Sequence, residues 1–416
     1  MRPRFTNPWW VVFGAVIGLF VGNGSVLAYT FGVFLKPIMA DMGWQRSTAS
    51  LALAFGEVLG ALMVPVVGLM MDRWSIRRVA LPGIAAFAIF LGVLGFTPAS
   101  LLAFVILFSL ASIAGAIQTP VGYTKAIAAW FDRRRGLALG IALTGVGFGA
   151  LVIPQLAQML IARIGWRGTY ACLGLLMFAI AFPVVALWIR EPRTGEGERR
   201  AVGVSGELLG LTARQATGTV RFWLMAAAFF LVAMALLGTA GHIVPLLTDR
   251  GLSPAAATAT FGLVGLSTVA GRVVTGLLLD RIFAPYVAAL FWLAPVVGFV
   301  LLTSAVGVWP AAGVVLIGFA VGAEVDMIAF LSSRYLGQRA FGQLYGYFFM
   351  AFALGGACGR FLGGYVFDLA GSYDAAMAGA AAALVVAVIL VSRLGAYPYP
   401  VYRHIEPNLA TAPAAS

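Results

Sequence analysis

Gly271-Arg272-Val273-Val274-Thr275-Gly276-Leu277-Leu278-Leu279-Asp280 reads G-R-x-x-x-G-x-x-x-D, and Gly359-Arg360-Phe361-Leu362-Gly363-Gly364-Tyr365-Val366-Phe367-Asp368 reads the same. Each copy sets an arginine inside an apolar stretch long enough to cross a bilayer as a helix. The surrounding chain agrees: it is 62% hydrophobic and 10% charged, with a mean hydropathy of +0.98. A soluble globular protein carries about 25% charged residues. The apolar runs are continuous and about 20 residues long, as membrane helices require. A transmembrane barrel would show alternating segments of about ten residues. The expected class is an all-α integral membrane protein.

The runs predict twelve helices, over 9–35, 47–71, 79–97, 100–129, 136–160, 167–189, 221–247, 255–279, 284–304, 308–333, 341–367 and 373–393. The first follows Arg2 and Arg4, as in a signal peptide. It exceeds the apolar segment of about 7–15 residues found there, so it is expected to remain as an uncleaved helix. The net charge of +12 is not a nucleic-acid surface, because the basic residues cluster in short loops between apolar runs. With both termini in the cytoplasm, 19 lysines and arginines fall on that side. Five fall outside: Lys36, Arg46, Arg163, Arg167 and Arg250. That asymmetry sets the orientation. Cys172 and Cys358 both lie in apolar runs and do not read as a disulfide framework.

The longest polar stretch divides the chain. Residues 1–189 form an N-terminal six-helix bundle, 190–220 a cytoplasmic linker, 221–393 a C-terminal six-helix bundle and 394–416 a cytoplasmic tail. The tail is rich in Pro and Ala and is expected to be disordered. The two bundles repeat each other. Gly68-Leu69-Met70-Met71-Asp72-Arg73 ends the second helix, and Gly276-Leu277-Leu278-Leu279-Asp280-Arg281 ends the eighth, 208 residues later. The two arginine-bearing stretches lie on helices eight and eleven, which run in opposite directions, as inverted three-helix repeats within one half require.

On these residues the chain resembles the major facilitator superfamily over its whole length. Gly68-x-x-x-Asp72-Arg73 with Arg77-Arg78 is similar to that superfamily's signature between helices two and three, with Ser75 or Ile76 where a glycine is usual. Within it, the chain resembles the monocarboxylate transporter and oxalate:formate antiporter branch. Three sets carry this: Phe31-Gly32-Val33-Phe34 with Gly43-Trp44-x-Arg46; Trp130 to Gly140; and Arg334-Tyr335-Leu336-Gly337 with Phe341-Gly342 and Tyr345-Gly346. Helix one has Gly22-Asn23-Gly24-Ser25 in place of the acidic residue, glycine and aromatics of the animal transporters. The resemblance implies the major facilitator fold, two pseudo-symmetric bundles of six helices, and a carboxylate substrate.

An ionisable residue inside a membrane helix costs at least a few kcal/mol and marks a candidate functional site. Arg272 lies eight residues before Asp280, about 12 Å along the helix, near the midplane of a core about 30 Å thick. Arg360 lies eight residues before Asp368 and is expected at similar depth from the opposite side. A guanidinium offers a planar donor fork that matches a carboxylate, so Arg272 and Arg360 are candidate substrate anchors. The alternative for each is an ion pair with a membrane acid. Those acids are Glu57, Glu324 and Asp326, also candidates for proton coupling. Glu324 and Asp326 are about 200° apart on a helix and are not expected to face one cavity. His242 titrates in the right range for a proton carrier, but reads better as an interfacial hydrogen-bonding residue. Lys125, one turn from Trp130, is expected to snorkel. Asn23, Tyr29, Gln118 and Tyr123 lie on helices one and four. The resemblance implies that these helices line the cavity, so the four are candidate substrate contacts or interhelical hydrogen-bonding residues. Asp72, Arg73, Asp280 and Arg281 are expected to latch the inner gate.

Gly145-x-Gly147-x-Gly149 follows no strand and reads as close helix packing, not a nucleotide loop. No Walker motif, metal-ligand cluster or catalytic triad spacing is present, so no cofactor, metal or enzymatic chemistry is expected. The leading reading is a secondary carrier of a small monocarboxylate or dicarboxylate in the bacterial inner membrane. It would work by alternating access, through proton symport or anion exchange. Efflux of hydrophobic metabolites or drugs is a second reading. A non-transporting membrane sensor is a third, for which the linker and tail are short.

Overall fold

The computed structural model describes residues 7–44, 46–192, 209–302 and 308–399. Arg2, Arg4, most of the linker (193–208) and the tail beyond residue 399 lie outside them. Among the described residues the chain is helical without a strand.

The first span, α1, is Trp9–Phe20, a π-helical turn Gly24–Ala28 and Phe31–Met42. The spans α2 (Arg46–Arg73) and α3 (Ile76–Leu94) follow. Then comes α4, which runs Leu101–Gly115, a tight turn Ala116–Gln118 and Pro120–Trp130. The sequence predicts a continuous helix here. Pro120 breaks it by holding Thr119 extended, at φ −77° and ψ 168°.

The next helical element, Arg135–Leu187, has 53 residues. Straight, it would measure about 80 Å, far more than a bilayer core of about 30 Å. It turns at Gly165, where φ is 68° and ψ is 172°, a conformation open to glycine and costly for other residues. It then returns along α3: a Cβ on Gly95 would lie 2.5 Å from the Arg167 carbonyl oxygen, and Arg77 Nε donates to the Ile189 carbonyl at 2.8 Å. Residues 135–164 are therefore α5 and 166–187 are α6.

The second half repeats the plan. It comprises α7 (Val220–Ala240, continued by Ile243–Asp249), α8 (Pro254–Leu279), α9 (Ala284–Leu302), α10 (Trp309–Tyr335), α11 (Phe341–Ala370) and α12 (Asp374–Ser392). Among the described residues twelve spans result, as the hydropathy predicts.

The polar segments are tied to the second bundle where they are described. Gly210 bridges Gly337, Leu211 N–H donates to the Leu336 carbonyl and Gln338 N–H to the Leu209 carbonyl. The end of the linker thus binds the loop between α10 and α11. The start of the tail is also held, against expectation. Tyr335 Oη donates to the Gly395 carbonyl at 2.7 Å, and Tyr397 Oη accepts from Ala284 N–H at 2.7 Å. These bonds satisfy backbone groups that would otherwise sit unpaired beside the bundle.

The halves meet through α2 with α11 and α5 with α8. A Cβ on Gly68 would lie 2.0 Å from the Gly342 carbonyl oxygen, and one on Gly276 would lie 2.5 Å from that of Gly136. Glycine is what permits this approach. Contacts of this kind continue to Gly346 against Pro65 and Gly147 against Val269, and none lies farther along among the described glycines. Farther along, Gly56 and Gly60 pack on α4, Gly355 and Gly359 pack on α7, and Gly262 and Gly265 meet nothing within 4 Å. The molecule is closed at the end bearing Asp72 and Asp280.

Candidate functional site

At the closed end each aspartate caps a helix of the other half. Asp72, last turn of α2, accepts from Gly342 N–H (3.0 Å) and Gln343 N–H (2.9 Å) at the start of α11. Asp280, just past α8, accepts from Gly136 N–H (2.7 Å) and Leu137 N–H (2.9 Å) at the start of α5. First-turn N–H groups have no partner within their own helix and carry the positive end of its dipole. A carboxylate answers both needs. Burial raises the Asp280 carboxyl above the ordinary aspartate range, against the opposing pull of those two N–H bonds and of Arg334 and Arg135. The glycine four residues earlier in each motif lets the partner helix come near enough to be capped. Arg73 and Arg281, expected to share the latch, are exposed.

A further tie across the halves was not legible as such in the sequence. Arg334 of α10 donates to Asp132 Oδ1 at 2.8 Å and to its carbonyl at 2.9 Å. Arg135 donates to the same Oδ1 at 3.2 Å and to Ser333 Oγ at 2.8 Å. The signal available was Asp132 itself, a lone acid leading a run of three arginines. Lys125 does not snorkel to water. Its Nζ pairs with Asp72 at 3.1 Å and Glu191 at 3.4 Å, because those acids stand within its reach at the closed end.

The membrane charges fall into two clusters. In the first, Arg272 is 4% exposed, and Glu324 and Asp326 are 1% and 0% exposed. Both acids lie within electrostatic range of Arg272, and so does Tyr345. The helical angle between positions 324 and 326 does not separate them, because α10 is enclosed on every side along this stretch and both carboxylates sit in the field of one arginine. Yet the groups are not bonded together. Arg272 Nε and Nη1, all four carboxylate oxygens and Thr275 Oγ1 make no hydrogen bond among the described residues. Buried polar groups are ordinarily paired, so this concentration of unpaired groups is the strongest site signal in the molecule. Tyr345 and Thr275 are the members that sequence reasoning missed. A membrane tyrosine or threonine carries no charge to betray it.

In the second cluster, Arg360 is exposed and faces Glu57 of α2 electrostatically. His242 Nε2 bonds the Arg360 carbonyl oxygen at 3.0 Å, and its ring lies 5.2 Å from that of Tyr373. The equal depth expected for the two arginines is not found. Arg272 is about 12 Å along α8 from Asp280, whereas Arg360 is 18 residues beyond Gly342, about 27 Å from the same closed end. The reason is the length of α11: its 30 residues span about 45 Å, so a position eight residues before Asp368 still lies far from the closed end.

The remaining candidates stand apart from both clusters. Gln118 and Tyr123 are buried and satisfy each other, Tyr123 Oη donating to Gln118 Oε1 at 2.6 Å. Asn23 packs its Oδ1 on Gly115 and finds no hydrogen bond there. Tyr29 is 49% exposed and lies over Gly24.

Residues 12–359 match the model of the Major Facilitator Superfamily. The chain belongs to that family. It is 29% identical to monocarboxylate transporter 13 of Bos taurus over 61% of this chain and 59% of that protein. It is 27% identical to monocarboxylate transporter 13 of Rattus norvegicus over 85% of this chain and 82% of that one. The crystal structure of the E. coli fucose:proton symporter FucP superposes with a TM-score of 0.71 at 14% identity, covering 94% of this chain and all of the other. The fold, the family and the apolar spans together make this an integral membrane transporter that carries small molecules.

Proposed function

We propose that the protein is a secondary carrier of small organic anions, with Arg272 as the carboxylate anchor. The observation that carries this reading is the buried, incompletely bonded Arg272 guanidinium facing Glu324 and Asp326. If both acids were ionised, the cluster would bear a net negative charge and repel an anion. A carboxylate therefore binds well only when at least one acid is protonated. That requirement couples anion to proton, and it favours symport over exchange. Similarity to the monocarboxylate transporters supports the substrate class.

Arg360 and Glu57 lie nearer the open end and serve as an entrance pair. An arriving carboxylate exchanges for Glu57 at Arg360 before moving inward. His242 holds the α11 backbone beneath Arg360 rather than carrying a proton. The basic loops support a reading in which the closed end and both termini face the cytoplasm of a bacterium, from its inner membrane. The described state is then outward-facing. Alternating access requires the Asp72 and Asp280 caps to release together.

The deciding experiment is thermal stabilisation of the purified protein by a panel of monocarboxylates and dicarboxylates, for wild type and Arg272→Ala. A specific ligand stabilises the fold by mass action. One carboxylate class should shift wild type and leave the variant unmoved. Equal shifts in both proteins would remove Arg272 from the anchor role. A shift with lipophilic drugs alone would favour efflux. Proton symport further requires that uptake acidify the cytoplasm and collapse with a protonophore.

A further inference from the structure

At the closed end a cavity of about 500 Å³ opens between the halves, lined by Arg133, Arg134, Leu137, Leu277, Asp280 and Arg281. Its walls carry three guanidinium groups and one carboxylate. The carboxylate is already occupied, since Asp280 accepts from Gly136 N–H and Leu137 N–H. The cavity therefore presents an excess of positive charge with forked donors, the chemistry that binds a phosphate. All three arginines are exposed, so they meet a ligand without first leaving a protein core.

The apolar part of the lining selects among phosphates. Leu277 lies on α8 one turn from Asp280 toward the membrane interior, and it is 38% exposed. Leu137 lies opposite, on the first turn of α5. A phosphate held by the arginines would have these side chains beneath it, where an acyl chain would continue. A soluble anion would leave that apolar surface uncovered. Cationic clusters where a helix meets the membrane surface attract anionic headgroups.

We propose that this cavity binds the phosphate of an anionic phospholipid, clamped between the start of α5 and the end of α8. Three of its residues come from each half, so the lipid spans the seam and holds the halves together at this end. The site is separate from the Arg272 cluster and does not depend on the identity of the transported molecule.

The test uses full-length protein in a neutral detergent, titrated with phosphatidylglycerol, phosphatidylcholine or inorganic phosphate while thermal unfolding is followed. Three proteins are compared. One is wild type. The second is Arg133→Gln/Arg134→Gln/Arg281→Gln. The third is Arg78→Gln/Arg214→Gln/Arg393→Gln, which removes the same charge from exposed arginines outside the cavity. Phosphatidylglycerol should raise the unfolding temperature of wild type and of the third protein, and phosphatidylcholine should not. In the cavity variant the lipid concentration for half-effect should rise at least about tenfold, the loss of one charge-assisted contact or more. An equal response to both lipids in wild type, or an unchanged response in the cavity variant, would overturn the proposal. So would an equal loss in the two triple variants. Stabilisation by inorganic phosphate matching that by lipid would overturn the lipid assignment. If the cavity variant fails to fold, single Arg281→Gln decides the matter by the same readout.

Discussion

Arg272 and Arg360 occupy the same place in two identical sequence patterns, yet they stand about 15 Å apart in depth and face different acids. Arg272 is buried with Glu324 and Asp326, while Arg360 is exposed and faces Glu57. The inverted relation of α8 and α11 brings this about. One pattern is counted from the closed end and the other from the far end of a 30-residue helix, longer than the bilayer core requires, so equal spacing in sequence gives unequal position across the membrane.

The two arginines should therefore fail differently. Arg272→Ala is expected to abolish saturable uptake, with Arg272→Lys keeping part of it. Arg360→Ala is expected to raise KM about tenfold, near 1.4 kcal/mol, with kcat within about twofold. Initial-rate transport in proteoliposomes separates the two patterns. Equal loss of kcat in both variants would mean a single shared site.

Glycine at the seam makes a second prediction. A methyl group at position 68 would lie 2.0 Å from the Gly342 carbonyl oxygen, and one at 276 would lie 2.5 Å from that of Gly136. Both obstacles are backbone and cannot rotate away. Overpacking of this kind costs about 1–3 kcal/mol. Gly68→Ala and Gly276→Ala should each shift the population toward the open inner end by about five- to 150-fold. Alkylation of a cysteine placed at Leu279, in a Cys172→Ser/Cys358→Ser background, reports that opening. Labelling at the parent rate would refute the prediction.

Acidity should act on the same seam through Asp280. Burial raises its carboxyl in the closed state, and parting of the helices returns it to water and to the ordinary aspartate range, about 3.9. The closed state thus binds the proton more tightly. The sign follows from linkage: closure gains as pH falls through the raised value, and the gain is complete below the ordinary one. The Leu279→Cys labelling rate should fall over that interval, and Asp280→Asn should flatten this part of the profile. A labelling rate that rises on acidification in the parent but not in Asp280→Asn would reverse the assignment.

The open ends of the bundles carry matched clamps of reversed polarity. Arg167, at the start of α6, pairs with Asp41 of α1 and donates to the Thr97 carbonyl past α3 at 3.1 Å. Arg250, past α7, pairs with Asp374 of α12 and donates to the Leu302 carbonyl ending α9. In each half the arginine gathers the first, third and sixth helices. Exposed ion pairs contribute about 0–1 kcal/mol. Asp41→Ala should accordingly lose little with the pair itself and about 1 kcal/mol with the bond its carboxylate accepts from Trp166 Nε1 at 3.1 Å. Arg167→Ala should cost more, since it also loses the carbonyl bond and the guanidinium stacked 4.3 Å over the Trp166 ring. Thermal unfolding of the two variants checks the order.

Much of this architecture is determined by the sequence alone, because the bilayer is so restrictive a solvent. A span must be apolar for about 20 residues and must bond its own backbone, so hydropathy gives the number of spans. The repeat at Gly68 and Gly276 exposes the two halves for the same reason. Breaks such as Thr119-Pro120 depend on one or two residues and are hidden within long apolar runs. Only the tertiary structure decided which charges share a site. That Glu324 and Asp326 both answer to Arg272, that Glu57 meets Arg360, and that Asp72 and Asp280 cap helices 270 residues ahead and 144 residues back along the chain are consequences of helix packing. Electrostatic and hydrogen-bond energies depend on separation in space, which the order of residues along one helix does not express.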